Sequence, residues 1–198
     1  MKTLGKSLLL DSLSKGYISE AEIDFIRSFM WDDTGSILDV GAFVGKTFHH
    51  LHKYRPDWDY TAVDTWEMYP FPMLGPHRNY DRTAEGPMVH SKYFKENCPF
   101  SNFHVAPYED ICFEKDTFDI IILGAQAPRE GDLNGCVLGV NTQWQYKKAL
   151  EEIKDDGIII ARYLKHVRQK DDVAESLQII NSENCILEPT KENMCAIW

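Results

Sequence analysis

The segment Asp39-Val40-Gly41-Ala42-Phe43-Val44-Gly45-Lys46-Thr47, with Asp64 about 20 residues further on in Val63-Asp64-Thr65-Trp66, places acids and glycines at a spacing suited to a nucleoside. Glycine at a turn opens backbone conformations closed to other residues and lets a ligand come close to the main chain. A carboxylate at the end of the next strand can accept both hydrogen bonds of a ribose diol. Two other readings of these residues stay open. Gly41 to Thr47 falls one residue short of the phosphate loop Gly-x4-Gly-Lys-Thr, and the acid such loops need near magnesium is replaced by Gly124. Alternatively, Asp39 and Asp64 anchor turns, and Lys46 and Thr47 simply open a helix.

Other groups able to do chemistry are scattered. His166 follows the fifth expected strand, on the side where ligands bind in open α/β sheets, and is the candidate general base. His77, Tyr80 and His90 flank a long irregular stretch, and Gln126 follows the fourth strand. His49, His50 and His52 share one helix without a carboxylate or cysteine to complete a metal site. The five cysteines are odd in number and lack a Cys-x-x-Cys pair, which favours reduced thiols over a disulfide framework or a zinc site.

The elements that must position these groups are read from periodicity. Ser19 and Glu22 suggest a capping box for a first helix carrying Ile23, Ile26 and Met30, which Asp32 to Gly35 end. Strands are expected at 36–40, 59–64, Asn102 to Ala106, 118–123 and Ile158 to Arg162. Helices are expected at about 46–55, 87–97 and 142–154, with Asp155-Asp156-Gly157 as a break. An amphipathic helix with Val173, Leu177 and Ile180 precedes strands near 185–188 and 193–198. The last two leave no room for a helix between them, so they form an antiparallel hairpin. Residues 65–86 and 125–141 have no clear period, and loops of that length commonly serve as lids or binding loops. The expected fold is α/β, a Rossmann-like seven-stranded mostly parallel sheet with helices on both faces and a C-terminal antiparallel hairpin. Residues 1–198 form a single domain, with 1–35 a helical extension.

This order of elements resembles the class I S-adenosylmethionine-dependent methyltransferase family over nearly the whole chain. Asp39, Gly41 and Gly45 match the usual acid-x-Gly-x-Gly-x-Gly motif, and Phe43 stands in place of the middle glycine. Gly-x-Phe-x-Gly-Lys-Thr with a later Val-Asp-Thr-Trp is similar to a branch of small-molecule O-methyltransferases and sugar-modifying relatives. The resemblance implies S-adenosylmethionine as cofactor. Asp39 and the turn Gly41, Ala42, Phe43, Gly45, Lys46 and Thr47 would hold its methionine part, Asp64 the ribose, and Thr65 and Trp66 the adenine border. The Tyr108 backbone or Glu109 would meet the adenine edge, and Gly124 would close the site at the fourth strand. Cation-dependent members commonly carry an Asp at the end of that strand. Here it reads Leu123-Gly124-Ala125-Gln126, so no essential metal is expected. The Asp/Asn-Pro-Pro-aromatic signature of amino-methyltransferases is also absent there, which argues against DNA base methylation.

A net charge of −10, from 21 Lys+Arg against 31 Asp+Glu, disfavours nucleic acid and anionic membranes as partners. Asp11 interrupts the leucines at 8–10, and no apolar run approaches the ~20 residues needed to span a bilayer. A cytoplasmic protein with a small-molecule substrate is expected, and the aromatic-rich loop makes a homodimer plausible. The leading functional reading is a metal-independent methyltransferase for a small polar acceptor, a hydroxyl above all. The alternatives are a non-catalytic cofactor-binding or partner protein of the same fold, or another reaction on S-adenosylmethionine.

Overall fold

Four apolar runs bounded by turn residues become the centre of one sheet. The computed structural model describes residues 18, 20–64, 66, 89–124, 138–162 and 194–197. In chain order these form α1 (Glu20–Arg27), β1 (Ser36–Val40), α2 (Lys46–Tyr54), β2 (Asp59–Asp64), α3 (Val89–Asn97), β3 (Asn102–Val105), a short 3-10 turn (Tyr108–Asp110), β4 (Phe118–Leu123), α4 (Leu138–Glu152), β5 (Ile153–Arg162) and β6 (Met194–Ile197). The sheet order is β3-β2-β1-β4-β5-β6. The first five strands run parallel, and β6 pairs with β5 antiparallel, Ile159 opposite Ile197.

The pleat sorts the β4 side chains onto two faces, as a strand buried on both sides requires. Ile120 and Ile122 join Ile37, Phe48, Leu51 and Phe94 in one core. Ile121 and Leu123 join Leu38, Val40, Tyr146 and Ala149 in the other. Helix α1 contributes Ile23 and Ile26 to the first core, and its exit is tied to α2 through Arg55, whose guanidinium donates to the Met30 carbonyl. No helix among the described residues is long and apolar enough to cross a membrane.

The first four strands fall where the apolar runs put them. The border between α4 and β5 does not. The helix begins at Leu138, inside the stretch expected to be irregular, and ends at Glu152 with Ile153 already in the strand. Asp155-Asp156-Gly157 is therefore an irregularity within β5 and not a break before it. Phe118 pairs with Ile153 and Ile120 with Ile158, so the intervening residues of β5 bow out of the ladder. Lys154 in this bow reaches the Asp119 carboxylate at 2.9 Å from both oxygens, and a side chain at Gly157 would strike Ile153. Ser19, the helix near Val173 to Ile180 and the strand near 185–188 lie outside the described residues.

Candidate cofactor site

Strand β1 lies between β2 and β4, so the chain leaves it to one side first and returns on the other. The crevice beyond the C-terminal ends of strands at such a switch point is where open α/β sheets bind ligands. Register brings these ends level, Val40 opposite Val63 on one side and Leu123 on the other. The pairing then continues one step past the strands. The Gly41 amide donates to the Val63 carbonyl at 2.8 Å, and the Gly124 amide to the Val40 carbonyl at 2.6 Å. A Cβ on Gly124 would overlap that same carbonyl oxygen, so only glycine fits.

The turn leaving β1 has three residues in the left-handed region, Gly41 (φ 88°), Phe43 (φ 51°) and Gly45 (φ 79°). Gly45 closes the turn by donating to the Ala42 carbonyl at 2.9 Å and stands as N-cap of α2. It is also pinned by packing, since a Cβ there would lie 2.6 Å from the Cys98 thiol and 2.9 Å from the Phe94 ring. The end of α3 clamps the turn from behind. Asn97 donates to the Val44 carbonyl at 2.7 Å, and the Cys98 thiol to the Gly45 carbonyl at 3.2 Å. Sequence reading singled out neither clamp, because partners 53 positions away leave no local signal. Lys46 and the buried Thr47 open α2, whose first amides and positive dipole end face the turn.

Asp64, at the end of β2, is half-buried. Its Oδ2 accepts from the Phe43 amide at 2.9 Å and its Oδ1 from the Trp66 amide at 2.7 Å. A carboxylate has about four acceptor directions, so bonds to two amides are compatible with a ribose diol on the same group. Asp39 is buried at 1 % exposure directly behind the turn. Its negative charge, added to burial, pushes the Cys98 thiol up to about 12.

Trp66 faces the core instead of the adenine border expected of it, and Tyr108 reaches the edge of the site through its backbone, as one of the two expected contacts had it. The Trp66 indole is 2 % exposed and packs against Phe94 and Phe103, with ring centroids at 5.2 and 6.0 Å. Its Nε1 donates to the Phe43 carbonyl at 2.5 Å. The Ala106 amide bonds the Asp64 carbonyl at 3.2 Å, which carries Pro107 and the 3-10 turn to the edge of the site. The Tyr108 ring, however, turns into the second core, where its hydroxyl donates to Glu152. Burial and that carboxylate hold the phenol above its ordinary range. What Tyr108 offers the crevice is its backbone, beside the exposed Glu109. Thr65, His77, Tyr80, Gln126 and His166 lie outside the described residues, so the crevice is described on the side of the glycine turn and Asp64 only.

The α2 histidines take different partners, although the His49 and His50 rings also meet edge to face at 5.6 Å between centroids. His52 stacks on Phe100 at 3.6 Å between centroids, and His49 Nδ1 lies 3.4 Å from the Asn97 carbonyl. Burial holds His49 and His50 below the usual imidazole value. A broad groove of about 1070 Å³ opens elsewhere, among Ser36, Asp57, Asp59, Asp119 and Lys154. It lies where the strands begin, away from the crevice at their C-terminal ends.

No family model matches the chain, and no curated protein matches it in sequence. Solved structures match its fold. A TehB-like SAM-dependent methyltransferase from Corynebacterium glutamicum superposes with a TM-score of 0.55 at 14% identity, covering 96% of this chain and 94% of that one. A precorrin-6y C5,15-methyltransferase from Geobacter metallireducens gives 0.57 at 10% identity over 93% and 91%. M. jannaschii TYW2 in complex with AdoMet gives 0.50 at 15% identity over 93% and 76%. The fold is thus the Rossmann-like fold of class I S-adenosylmethionine-dependent methyltransferases.

Proposed function

We propose that the chain is an S-adenosylmethionine-dependent methyltransferase acting on a hydroxyl of a small polar acceptor, without an essential metal. The observation that carries this is the Asp64 carboxylate held by the Phe43 and Trp66 amides beside a left-handed glycine turn, at the switch point of the sheet. The donor set suits the cofactor chemically. A carboxylate meets the ribose diol. The turn backbone from Gly41 to Gly45, with Lys46 and Thr47 behind it, lies at the positive end of a helix suited to a carboxylate, and Asp39 supplies negative charge toward an ammonium. Gly41 is open to the crevice, where a Cβ would meet only Gly124, its Cα at 3.6 Å. In this reading Thr65 borders adenine, and Trp66 supports the turn from the core. The backbone at Tyr108 and Glu109 borders adenine.

Bound S-adenosylmethionine supplies an activated methyl group. The chain's part is to hold the nucleoside, align the acceptor oxygen in line and exclude water. We assign acceptor recognition to residues 65–90 and 125–141, and proton removal to His166, on topology alone. The metal-independent reading rests on Gly124-Ala125 standing where cation-dependent relatives carry an acid. Residues 185–188 complete a seventh strand and the C-terminal hairpin in this proposal, within one cytoplasmic domain.

Calorimetry with S-adenosylmethionine, S-adenosylhomocysteine and ATP tests it, followed by product analysis. Binding of both sulfur nucleosides but not ATP, with the cofactor recovered intact, is the expected result. Cleavage of the cofactor without an acceptor would favour another reaction at the same site. No binding would leave the turn as architecture in an interaction protein.

A further inference from the structure

The geometry points to Trp66 as a positioning residue that holds the glycine turn in its ligand-ready shape, acting through Phe43; this deepens the cofactor reading and rests on it. Phe43 occupies a left-handed conformation at φ 51°, which a residue with a Cβ adopts only when its surroundings hold it there. Both of its backbone polar groups are gripped by one short segment. Its amide donates to Asp64 Oδ2 at 2.9 Å, and its carbonyl accepts from Trp66 Nε1 at 2.5 Å. The Trp66 amide returns to Asp64 Oδ1 at 2.7 Å, closing a ring of three hydrogen bonds through the carboxylate that faces the nucleoside.

The indole cannot readily swing away. It is 2 % exposed and wedged against Phe94 and Phe103, and Phe94 is also the ring that fills the space beside Gly45. The donor is therefore fixed by the same packing that fixes the turn. At position 43 the indole N–H does the work that glycine does in the usual motif. Glycine needs no restraint to reach positive φ, whereas phenylalanine does. Phenylalanine at 66 could fill much of the indole's space but could not donate.

A double-mutant cycle separates restraint from packing. Wild type, Trp66→Phe, Phe43→Gly and the double variant are titrated with S-adenosylhomocysteine, and the same four are melted. Trp66→Phe is expected to weaken binding about fivefold when Phe43 is present, the size of one hydrogen bond, and less than about twofold when it is made in the Phe43→Gly variant. The drop in melting temperature should shrink in the same way. Equal losses in both backgrounds would overturn the proposal and leave Trp66 as packing. No loss in either would overturn it as well. If wild type fails to bind, the cofactor reading falls, and the melting cycle still decides whether the indole restrains Phe43.

Discussion

The Tyr108 hydroxyl donates to Glu152 Oε2 at 2.5 Å, tying the turn after β3 to the last residue of α4 across 44 positions. Glu152 is 3 % exposed and also receives Lys148 at 2.5 Å and the Phe113 amide at 3.4 Å. Three donors around one carboxylate make its burial tolerable, and the Lys148 ammonium also sits over the Tyr108 ring at 4.9 Å. Removing one donor exposes how much each contributes. Tyr108→Phe should destabilise the protein by about 1–3 kcal/mol, and Lys148→Met, which strips the charge partner, by about 3 kcal/mol or more. Urea unfolding checks both, as a lower midpoint at unchanged slope.

Asp119 predicts an acid limb of stability. Burial alone would raise its carboxyl, but hydrogen bonds from Lys154 and Ser36 outweigh this and hold it below the usual carboxylate value. A group with a depressed folded-state pKa contributes stability that is fully present above its unfolded value, about 3.9, and is lost as pH falls through the folded value. Wild type should therefore lose urea resistance as pH drops below about 4. Asp119→Asn should be less stable at pH 7 and show a shallower loss over that window. An unchanged acid slope would contradict the assignment.

Gly124 and Gly45 should fail for different reasons when substituted. At Gly124 an added Cβ meets the Val40 carbonyl oxygen, a backbone atom with no rotamer to escape into. Gly124→Ala should cost about 3 kcal/mol and break the pairing of the β1 and β4 ends. At Gly45 the penalty combines a left-handed backbone, about 1–2 kcal/mol, with contact against Cys98 and Phe94. Gly45→Ala should therefore be partly rescued by Cys98→Ala, and Gly124→Ala should not be. Thermal unfolding of the two singles and two doubles gives the comparison.

Asp64→Ala removes the carboxylate from between the Phe43 and Trp66 amides, and with it the proposed ribose contact. Affinity for S-adenosylhomocysteine should fall about tenfold or more, since hydrogen bonds to charged groups contribute about 1.5–3 kcal/mol each. Calorimetry measures this, and circular dichroism confirms that the variant is folded. A folded variant that binds as tightly as wild type would remove Asp64 from the site.

Thiol labelling should distinguish two of the cysteines. Cys98 is buried, bonded to the Gly45 carbonyl and raised to about 12 by burial and by Asp39, so almost none is thiolate at about pH 8. Cys112 is exposed. Iodoacetamide at about pH 8 should modify Cys112 in the folded protein and Cys98 only after denaturation, as read by peptide mass mapping. Early labelling of Cys98 would show that the clamp on the glycine turn opens.

Residues 36–40, 59–64 and 118–123 are legible as strands because a strand buried on both faces must be largely apolar, and that property is written in adjacent residues. The glycine turn is legible for a similar reason. Gly41, Gly45 and the acids Asp39 and Asp64 lie at a spacing that one crossover imposes. The α4–β5 border was hidden because Asp155-Asp156-Gly157 looks like a break wherever it occurs, and only pairing with Phe118 and Ile120 makes it a bow within a strand. In the crevice, side-chain direction was decided by partners far along the chain. Glu152 draws the Tyr108 ring away from the site, and Phe94 and Phe103 hold the Trp66 indole in the core with its N–H on Phe43. Asn97 and Cys98 became part of the turn only when α3 packed beside it. Periodicity and spacing record what neighbours in sequence must do together. Burial, aim and hydrogen-bond partner depend on atoms that folding alone brings within a few ångströms.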